Sequence, residues 1–318
     1  MKTNFWHGKK VLITGGHGFL GKHVISCLGR KGKTAELFVF HKREFDLRIE
    51  SDVKKLFRHC GKIDFVIHLA GDVGGIGYNR KLPGDVFYNN LMMNTLLMEY
   101  SKLNGTGKFV GIGTVCSYPK LASIPFKEED LWSGYPEETN ASYGLAKKMM
   151  LVQGQAYRKQ FNFNAIHLLM INLYGPGDNF DVENSHVISG LIRKFDEAKL
   201  KGFKEVTAWG TGKATREFLY VEDAAEAIIA AAERYDKPEP VNIGSGIEIS
   251  IRDLADLIAE LSGFSGNIKW DSSKPDGQPR RRLDVYSAER EFGFRAKTSL
   301  EEGLEKTIEW YRKKKGGE

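Results

Sequence analysis

A glycine-rich turn between a strand and a helix is the feature that most restricts how this chain can fold. The short β-branched run Lys10–Thr14 ends at Gly15, and Gly18 and Gly21 follow where an amphipathic helix begins. Glycines at this spacing let the backbone approach a pyrophosphate, whose negative charge is stabilised by the N-terminus of the helix. In this context the pattern predicts nucleotide binding by the first β-α unit of a parallel sheet.

The N-terminal half continues as an alternation of strands and helices, which implies parallel pairing of the strands. We therefore predict an α/β fold with a doubly wound parallel sheet of the Rossmann type over residues 1–173. Past Tyr174 the alternation becomes irregular. This predicts a smaller C-terminal α/β substrate-binding lobe over residues 174–318, with some segments returning to the first domain. The predicted strands are 10–14, 36–40, 64–69, 108–112, 165–171, 206–209 and 241–243, and the predicted helices are 19 to about 29, 51–60, 85–103, 141–160, 185–199, 221–234, 250–261 and from about 299.

Composition narrows the function classes. The chain has 318 residues, 41% of them hydrophobic and 28% charged, and no apolar run approaches the ~20 residues that span a bilayer. Its net charge of +6 comes from dispersed basic residues without a nucleic-acid-binding motif. Its three cysteines are too far apart for a disulfide framework or a metal site. We expect a cytoplasmic protein with no metal and with neither a membrane nor a nucleic acid as partner.

A second motif predicts carbonyl chemistry. Tyr143 and Lys147 are four residues apart on a predicted helix, so both side chains point to one side. A nearby ammonium stabilises a phenolate, which lets a tyrosine exchange a proton with a carbonyl oxygen. Thr114 offers a hydroxyl to the same oxygen. Cys116 is unusual here, because hydride transfer alone has no use for a thiol.

The end of the second predicted strand bears on the choice of nicotinamide cofactor. His41, Lys42 and Arg43 follow it, and no acid stands directly at the strand end. Basic groups there accept a 2′-phosphate, whereas a carboxylate would bind the ribose 2′-hydroxyl. This favours NADPH, although Glu44 is close enough to keep NADH open. Asp46, Leu47, Ala70 and Gly71 occupy positions suited to the adenine edge and to the wall beside the ribose.

Taken together, these motifs resemble the extended short-chain dehydrogenase/reductases and, within them, the GDP-L-fucose synthases. The resemblance covers nearly the whole chain, and its ordered set of motifs is highly specific. The further motifs are His-Leu-Ala at 68–70, Val-Gly-Gly-Ile at 73–76, Cys-Ser-Tyr-Pro-Lys at 116–120, Thr-Asn at 139–140, Asn-Leu-Tyr-Gly-Pro-Gly-Asp-Asn-Phe at 172–180, Asn-Ser-His-Val at 184–187, Trp-Gly-Thr-Gly at 209–212, Arg-Glu-Phe-Leu-Tyr-Val at 216–221 and Ser-Lys-Pro-Asp-Gly at 273–277.

The resemblance implies an NADPH-dependent enzyme that inverts C3 and C5 of GDP-4-keto-6-deoxy-D-mannose and then reduces C4, giving GDP-L-fucose. Inversion beside a ketone needs a base on one face of the ring and an acid on the other; the resemblance assigns these roles to Cys116 and His186. Thr114 and Tyr143 would bind the ketone oxygen. Tyr143 would also donate the proton during reduction, while Lys147 would hold the ribose and depress the pKa of Tyr143.

The same resemblance implies the binding residues and the assembly. Arg216 would grip the diphosphate, and Trp209 would offer a flat face to the nucleotide. The helices at 85–103 and 141–160 would pair across a homodimer. Substrate-binding residues are expected to be Val187, Lys194, Trp209, Arg216 and Lys274. Cofactor-binding residues are expected to be Gly15, His17, Gly18, Phe19, Gly21, His41, Lys42, Arg43, Asp46, Leu47, Ala70, Gly71, Tyr143, Lys147, Asn172 and His186.

The chain departs from the family pattern at three places. Thr114-Val115 stands where two serines are usual, His17 where an arginine is frequent, and Asp72 where a lysine is frequent. The first departure keeps open an alternative, a reductase or epimerase alone that acts on a related GDP-keto sugar such as a deoxyheptose. A sugar-nucleotide 4,6-dehydratase would need a carboxylic acid shortly after Thr114, which Val115-Cys116 does not supply. A non-catalytic NADP-binding sensor would have little use for the complete set of reactive side chains.

Overall fold

The computed structural model describes residues 5–30, 35–182, 185–274 and 276–316, apart from the side chain of Ile76. Asn184 and Pro275, which belong to the motifs above, lie outside the described residues. The strands are β1 (Lys10–Thr14), β2 (Glu36–Phe38), β3 (Phe65–His68), β4 (Lys108–Thr114), β5 (Ala165–Met170), β6 (Asn172–Tyr174), β7 (Glu205–Trp209), β8 (Thr215–Tyr220), β9 (Val241–Ile243), β10 (Glu248–Ser250) and β11 (Asn267–Asp271). The helices are α1 (Phe19–Arg30), α2 (Glu50–Cys60), α3 (Ile76–Lys81), α4 (Pro83–Asn104), α5 (Ala141–Phe161), α6 (Val187–Lys201), α7 (Val221–Arg234), α8 (Ile251–Ser262), α9 (Tyr286–Phe292) and α10 (Leu300–Gly316).

A six-stranded parallel sheet in the order β2-β1-β3-β4-β5-β9 forms the centre of the molecule. Helices cover both of its faces, and every residue of β4 and β5 is accordingly buried. The predicted doubly wound parallel sheet is confirmed. The strand order reverses beside β1, which leaves a crevice outside the carboxyl ends of β1 and β3, where ligands of such sheets bind.

A second hydrophobic core lies beyond the central sheet. It is formed by α6, α8 and α10 together with the short strands β7 and β8. Here β6, β8 and β10 form one small sheet, and β7 pairs with β11. By contrast, β9 and the alanine-rich α7 belong to the core of the central sheet. Over the described residues, no helix combines the length and apolarity that crossing a bilayer requires.

Several elements were absent from the sequence prediction, namely β6, β8, β10, β11, α3 and α9. Most of them are short, and β10 and β11 lie at the edges of small sheets and are half-exposed or exposed along their length. Such strands lack the alternating or continuous apolar pattern on which a local prediction depends. The strand β4, by contrast, was predicted too short, because it runs two residues further and ends at Thr114. Cys116 therefore lies in the single 3-10 turn that follows it.

Candidate active site

The glycine turn is shaped by close backbone approaches. Gly15 has a φ of 70°, and a Cβ at that residue would lie 2.8 Å from the backbone nitrogen of Ala70. A Cβ on Gly21 would collide with the backbone of Gly15 and Gly16, and the N–H of Gly18 donates to the Gly15 carbonyl over 2.9 Å. Only glycine fits these positions, so the turn leaves open backbone at the start of α1. This cradle fits a pyrophosphate.

The residues at the end of β2 meet the glycine turn. The imidazole rings of His17 and His41 are stacked, while Lys42 and Arg43 are exposed beside them. The carboxylate of Glu44 accepts the backbone N–H of His41 over 2.7 Å. This acid therefore secures the loop, and the exposed groups around it are basic or imidazole side chains. Phe19 is the first residue of α1, and its ring contacts the ring of His23 edge to face.

Asp46 belongs to a polar network that sequence reasoning did not find. Arg48 donates to both of its carboxylate oxygens, with its shortest contact at 2.6 Å, and this holds the pKa of Asp46 below its usual value. Nη1 of Arg48 donates to Oδ1 of Asn89 over 2.9 Å, and the amide nitrogen of Asn89 donates to Asp72 over 2.7 Å. Asp72, the residue at a position where the family often has lysine, also accepts from the hydroxyl of Tyr78. Leu47 packs instead against the apolar cluster under α2 and α4.

Lys147 is buried at the carboxyl edge of β3. Its Nζ lies 3.5 Å from the carbonyl oxygen of Ala70, and a Cβ on Gly71 would be 3.7 Å from it. Burial lowers the pKa of Lys147 to about 8. The expectation that Lys147 depresses the pKa of Tyr143 is not met in this arrangement. Burial, and secondarily the charge of Cys116, raise the pKa of Tyr143.

Thr114 and Cys116 are placed by the end of β4. Oγ1 of Thr114 is buried and accepts the N–H of Cys116 over 3.2 Å, which caps the 3-10 turn. The lack of a side chain at Gly144 lets the first turn of α5 rest on the Cys116 carbonyl. Ser117 donates its hydroxyl to the Gly144 carbonyl over 2.8 Å. These contacts bring the thiol to the turn of α5 that carries Tyr143.

Two further residues at this place were missed. Nη1 of Arg281 lies 3.7 Å from Sγ of Cys116, and Nε and Nη2 of the same guanidinium both donate to Oε1 of Gln278. Arg281 belongs to a run of three arginines that is visible in the sequence. That run is separated from the Ser-Lys-Pro-Asp-Gly motif only by Gln278 and Pro279, and this proximity was the only available signal.

His186 is the residue before α6, where its backbone is extended and its side chain exposed. Its carbonyl accepts from Gly190 over 2.8 Å. Asp178, a third missed residue, is buried, which raises the pKa of its carboxyl group, while the hydrogen bond from the backbone N–H of Asn179 opposes that shift. Within the described residues no hydrogen bond joins His186 to Cys116; groups that act on opposite faces of a sugar have the ring between them. Val187 opens α6 and packs on the second core.

The expected nucleotide residues lie on or beside the elements of the second hydrophobic core. The ring of Trp209 is largely exposed, with Nζ of Lys194 at 5.7 Å and Nζ of Lys274 at 5.5 Å from its centre. Arg216 lies deeper, and burial followed by the charge of Arg281 lowers its pKa to about 10. Asn172, at the start of β6, instead donates to the Glu217 carbonyl over 3.0 Å. An exposed aromatic face between two ammonium groups suits a nucleotide base and its phosphates.

Comparison with known proteins gives a consistent result. Residues 11–244 match the model of the NAD dependent epimerase/dehydratase family. The chain is 42% identical to the Probable GDP-L-fucose synthase 1 of Oryza sativa subsp. japonica, over 96% of this chain and 92% of that protein. It is also similar to the structure of a GDP-6-OMe-4-keto-L-xylo-heptose reductase from C. jejuni (30% identity, TM-score 0.91, covering 96% and 98% of the two chains). The GDP-L-fucose synthetase from Naegleria fowleri bound to NADP is similar at 28% identity and a TM-score of 0.87, covering 98% and 96%.

Proposed function

This chain belongs to the NAD dependent epimerase/dehydratase family, and we propose that it is the NADP(H)-dependent epimerase/reductase that converts GDP-4-keto-6-deoxy-D-mannose to GDP-L-fucose. The observation that carries the epimerase half is the position of Cys116. A thiol held against the helix turn of Tyr143 is at the place where a ketone and its neighbouring carbons would react. A simple reductase needs the tyrosine and lysine only.

The cofactor site fits NADP(H). Open backbone at Gly15 and Gly21 would hold the pyrophosphate, and His17, His41 and Arg43 would face the 2′-phosphate. The ammonium of Lys147 would hold the nicotinamide ribose. When bound, the reduced cofactor supplies the hydride for C4. All other functions in the two stages fall to residues of this chain.

Epimerisation uses an acid and a base on opposite sides of the sugar. Cys116 as thiolate removes the proton from the carbon beside the ketone, because the resulting negative charge spreads onto the carbonyl oxygen. The hydroxyls of Thr114 and Tyr143 donate to that oxygen and stabilise the enolate. His186 returns a proton from the other face, and the carbon is inverted.

Reduction uses the same oxygen site. Burial keeps Tyr143 protonated, since it raises the pKa of the phenol, so this side chain enters the step with a proton to give. As hydride arrives at C4, the ketone oxygen takes that proton. Tyr143 is left as a phenolate. The raised pKa therefore suits an acid in the reductive direction.

The smaller lobe would hold the GDP. Arg216, whose guanidinium is charged at neutral pH, would bind the diphosphate, and Trp209 would stack on guanine between Lys194 and Lys274. Val187 would line the sugar side.

A second candidate function is favoured by the similarity to the C. jejuni heptose reductase and by Thr114-Val115 at the ketone. In that case the chain would reduce or epimerise a related GDP-4-keto sugar only.

We further propose that two copies of the chain pair through α4 and α5. These helices pack together, and both leave large apolar side chains exposed: Phe87, Tyr88, Met149 and Val152. Apolar faces of this kind are buried in a four-helix interface between two copies. Sedimentation of a dimer that Val152→Arg converts to a monomer would support this assembly, and a monomeric parent chain would refute it.

The reaction is tested by isotope exchange. The protein is incubated with GDP-4-keto-6-deoxy-D-mannose in deuterated water, with and without NADPH, and carbon-bound deuterium is located by NMR. We expect label at C3 and C5 without the cofactor and labelled GDP-L-fucose with it. Oxidation of NADPH without carbon-bound deuterium would remove the epimerase half and favour the second candidate.

A further inference from the structure

The guanidinium of Arg281 is fixed in direction by a single side chain. Arg281 is 8% exposed, and its Nε and Nη2 each donate to Oε1 of Gln278 over 3.2 Å. A guanidinium is planar, so this two-point grip determines where the remaining nitrogen points. That nitrogen, Nη1, lies 3.7 Å from Sγ of Cys116.

Gln278 is itself anchored from the same side of the site as Cys116. It is also 8% exposed, and its amide donates to the carbonyl of Lys120 over 3.0 Å. Lys120 follows Cys116 in the same loop. Gln278 therefore connects the side chain of Arg281 to the loop that carries the thiol. The three side chains form one connected unit.

The backbone of Arg281 is held as firmly as its side chain. Its carbonyl accepts the N–H of Glu217 over 3.1 Å, and the buried carboxylate of Glu217 accepts the N–H of Leu283 over 2.7 Å. On the other side, Phe126 donates to the carbonyl of Arg282 over 2.8 Å. Arg281 thus projects from a segment that is paired along both edges.

Among the described residues, the cation that contacts the thiol is Arg281. Arg216 and Tyr143 act on Cys116 only at longer range through their electrostatic interaction, and Glu137 faces Arg281 in the same way. Glu137 is occupied by Thr139 and Asn140, which donate to it over 2.6 and 2.8 Å. Both donors bind Oε2, and within the described residues no hydrogen bond or ion pair joins this carboxylate to Arg281.

We propose that Gln278 and Arg281 form a positioning pair for the base of the epimerisation, with Arg281 orienting Sγ of Cys116 and balancing its charge. This rests on the proposed function. When the thiolate takes the proton from C3 or C5, the C–H bond breaks, an S–H bond forms and the electron pair moves into the enolate. The negative charge leaves sulfur, so the guanidinium matters for the exchange step and not for the later reduction.

The test uses Arg281→Gln, Arg281→Lys and Gln278→Leu, with Arg280→Gln as matched control. Arg280 is the neighbouring arginine, is exposed and pairs with Glu248 away from the thiol. We expect Arg281→Gln to slow deuterium exchange about 100-fold while kcat for reducing an already epimerised ketone is kept, because misplacing a reacting group has an effect of this size. Gln278→Leu should act in the same direction, Arg281→Lys should restore part of the rate, and the control should behave as the parent protein.

A second readout needs no substrate. Alkylation of Cys116 by iodoacetamide, followed by peptide mass spectrometry, should slow about tenfold in Arg281→Gln, the size expected for a lost charge-assisted contact. Unchanged exchange and alkylation would overturn the proposal, as would a parallel rise of KM in both steps, which would make Arg281 a substrate ligand only. If the parent protein catalyses no exchange, the proposed function fails, and the alkylation rates still decide whether Arg281 acts on the thiol. If Arg281→Gln does not fold, the exchange and alkylation rates of Arg281→Lys and Gln278→Leu test the proposal instead.

Discussion

The imidazole rings of His17 and His41 lie face to face, with centroids 3.7 Å apart and 3° between their planes. One ring comes from the glycine turn and the other from the end of β2, so the pair bridges two loops at the carboxyl edge of the sheet. The family often has arginine at the position of His17. In this chain, two rings together with Lys42 and Arg43 offer the donors that a 2′-phosphate needs.

The first prediction concerns cofactor choice. His41→Ala should raise KM for NADPH about tenfold, the effect of losing one hydrogen bond to a charged group, and should leave KM for NADH nearly unchanged. His17→Arg should lower KM for NADPH, because a guanidinium is permanently charged and binds phosphate through two parallel bonds. Steady-state kinetics with both cofactors measures these changes. An equal loss with NADPH and NADH would show that the ring pair only supports the loop.

The second prediction separates the two stages of the reaction. Cys116→Ser should slow exchange at C3 and C5 by about 100-fold or more, since a hydroxyl is a much weaker acid than a thiol. Reduction of an already epimerised ketone should be retained. Cys60→Ser is the matched control, because Cys60, the last residue of α2, is buried and its pKa is raised to about 11 by burial. Parallel loss of both steps in Cys116→Ser would argue against its role as base.

The third prediction concerns pH. Burial lowers the pKa of Lys147 from 10.5 to about 8, so its ammonium is present at neutral pH and is lost as the pH rises through 8. Because kcat/KM reports groups of the free enzyme, this parameter for the reduction should decrease above about pH 8. Lys147→Arg keeps the charge, and its profile should stay level up to pH 9. If kcat/KM of the parent protein did not decrease above pH 8, reduction would not depend on the ammonium of Lys147.

The fourth prediction concerns acid stability. His68 and His167 are fully buried in the central sheet, and burial lowers their pKa values to about 3 and about 4. Their unfolded pKa is 6.5, so below that pH the unfolded chain binds protons that the folded chain does not bind. The free energy of unfolding should fall as the pH is lowered from about 6.5 to 4, by up to about 1.4 kcal/mol per pH unit for each histidine.

Urea titrations at several pH values measure this effect. His167→Leu should have a shallower pH dependence than the parent protein between pH 6.5 and 4, because one of the two buried imidazoles is removed. His7→Leu, at an exposed histidine near the start of the chain, is the control and should keep the parent slope. Identical slopes in the parent protein and in His167→Leu would refute the contribution of this buried ring.

The central sheet could be predicted because its signals are local. The apolar run of β1 is bounded by Gly15, and the apolar pattern of α7 repeats with the period of a helix, so the predicted bounds of both elements are confirmed. The strand β8 shows the opposite case. It begins with Thr215, Arg216 and Glu217, which read as a polar loop, and it is a strand because β6 and β10 pair with it.

The amino-acid sequence by itself determined the glycine cradle and the shared helix face of Tyr143 and Lys147, because each depends on neighbouring residues. It also predicted the parallel sheet, because the separate strands and helices each carry a local apolar pattern and alternate along the chain. The roles assigned to the catalytic residues stay predictions. Only the tertiary structure decided that Arg281 lies against Cys116, since 165 residues separate them and their contact depends on how β8 and the segment after β11 are joined. It also decided that the pKa of Tyr143 is raised. Burial depends on the surrounding elements, and it is the main cause of this shift.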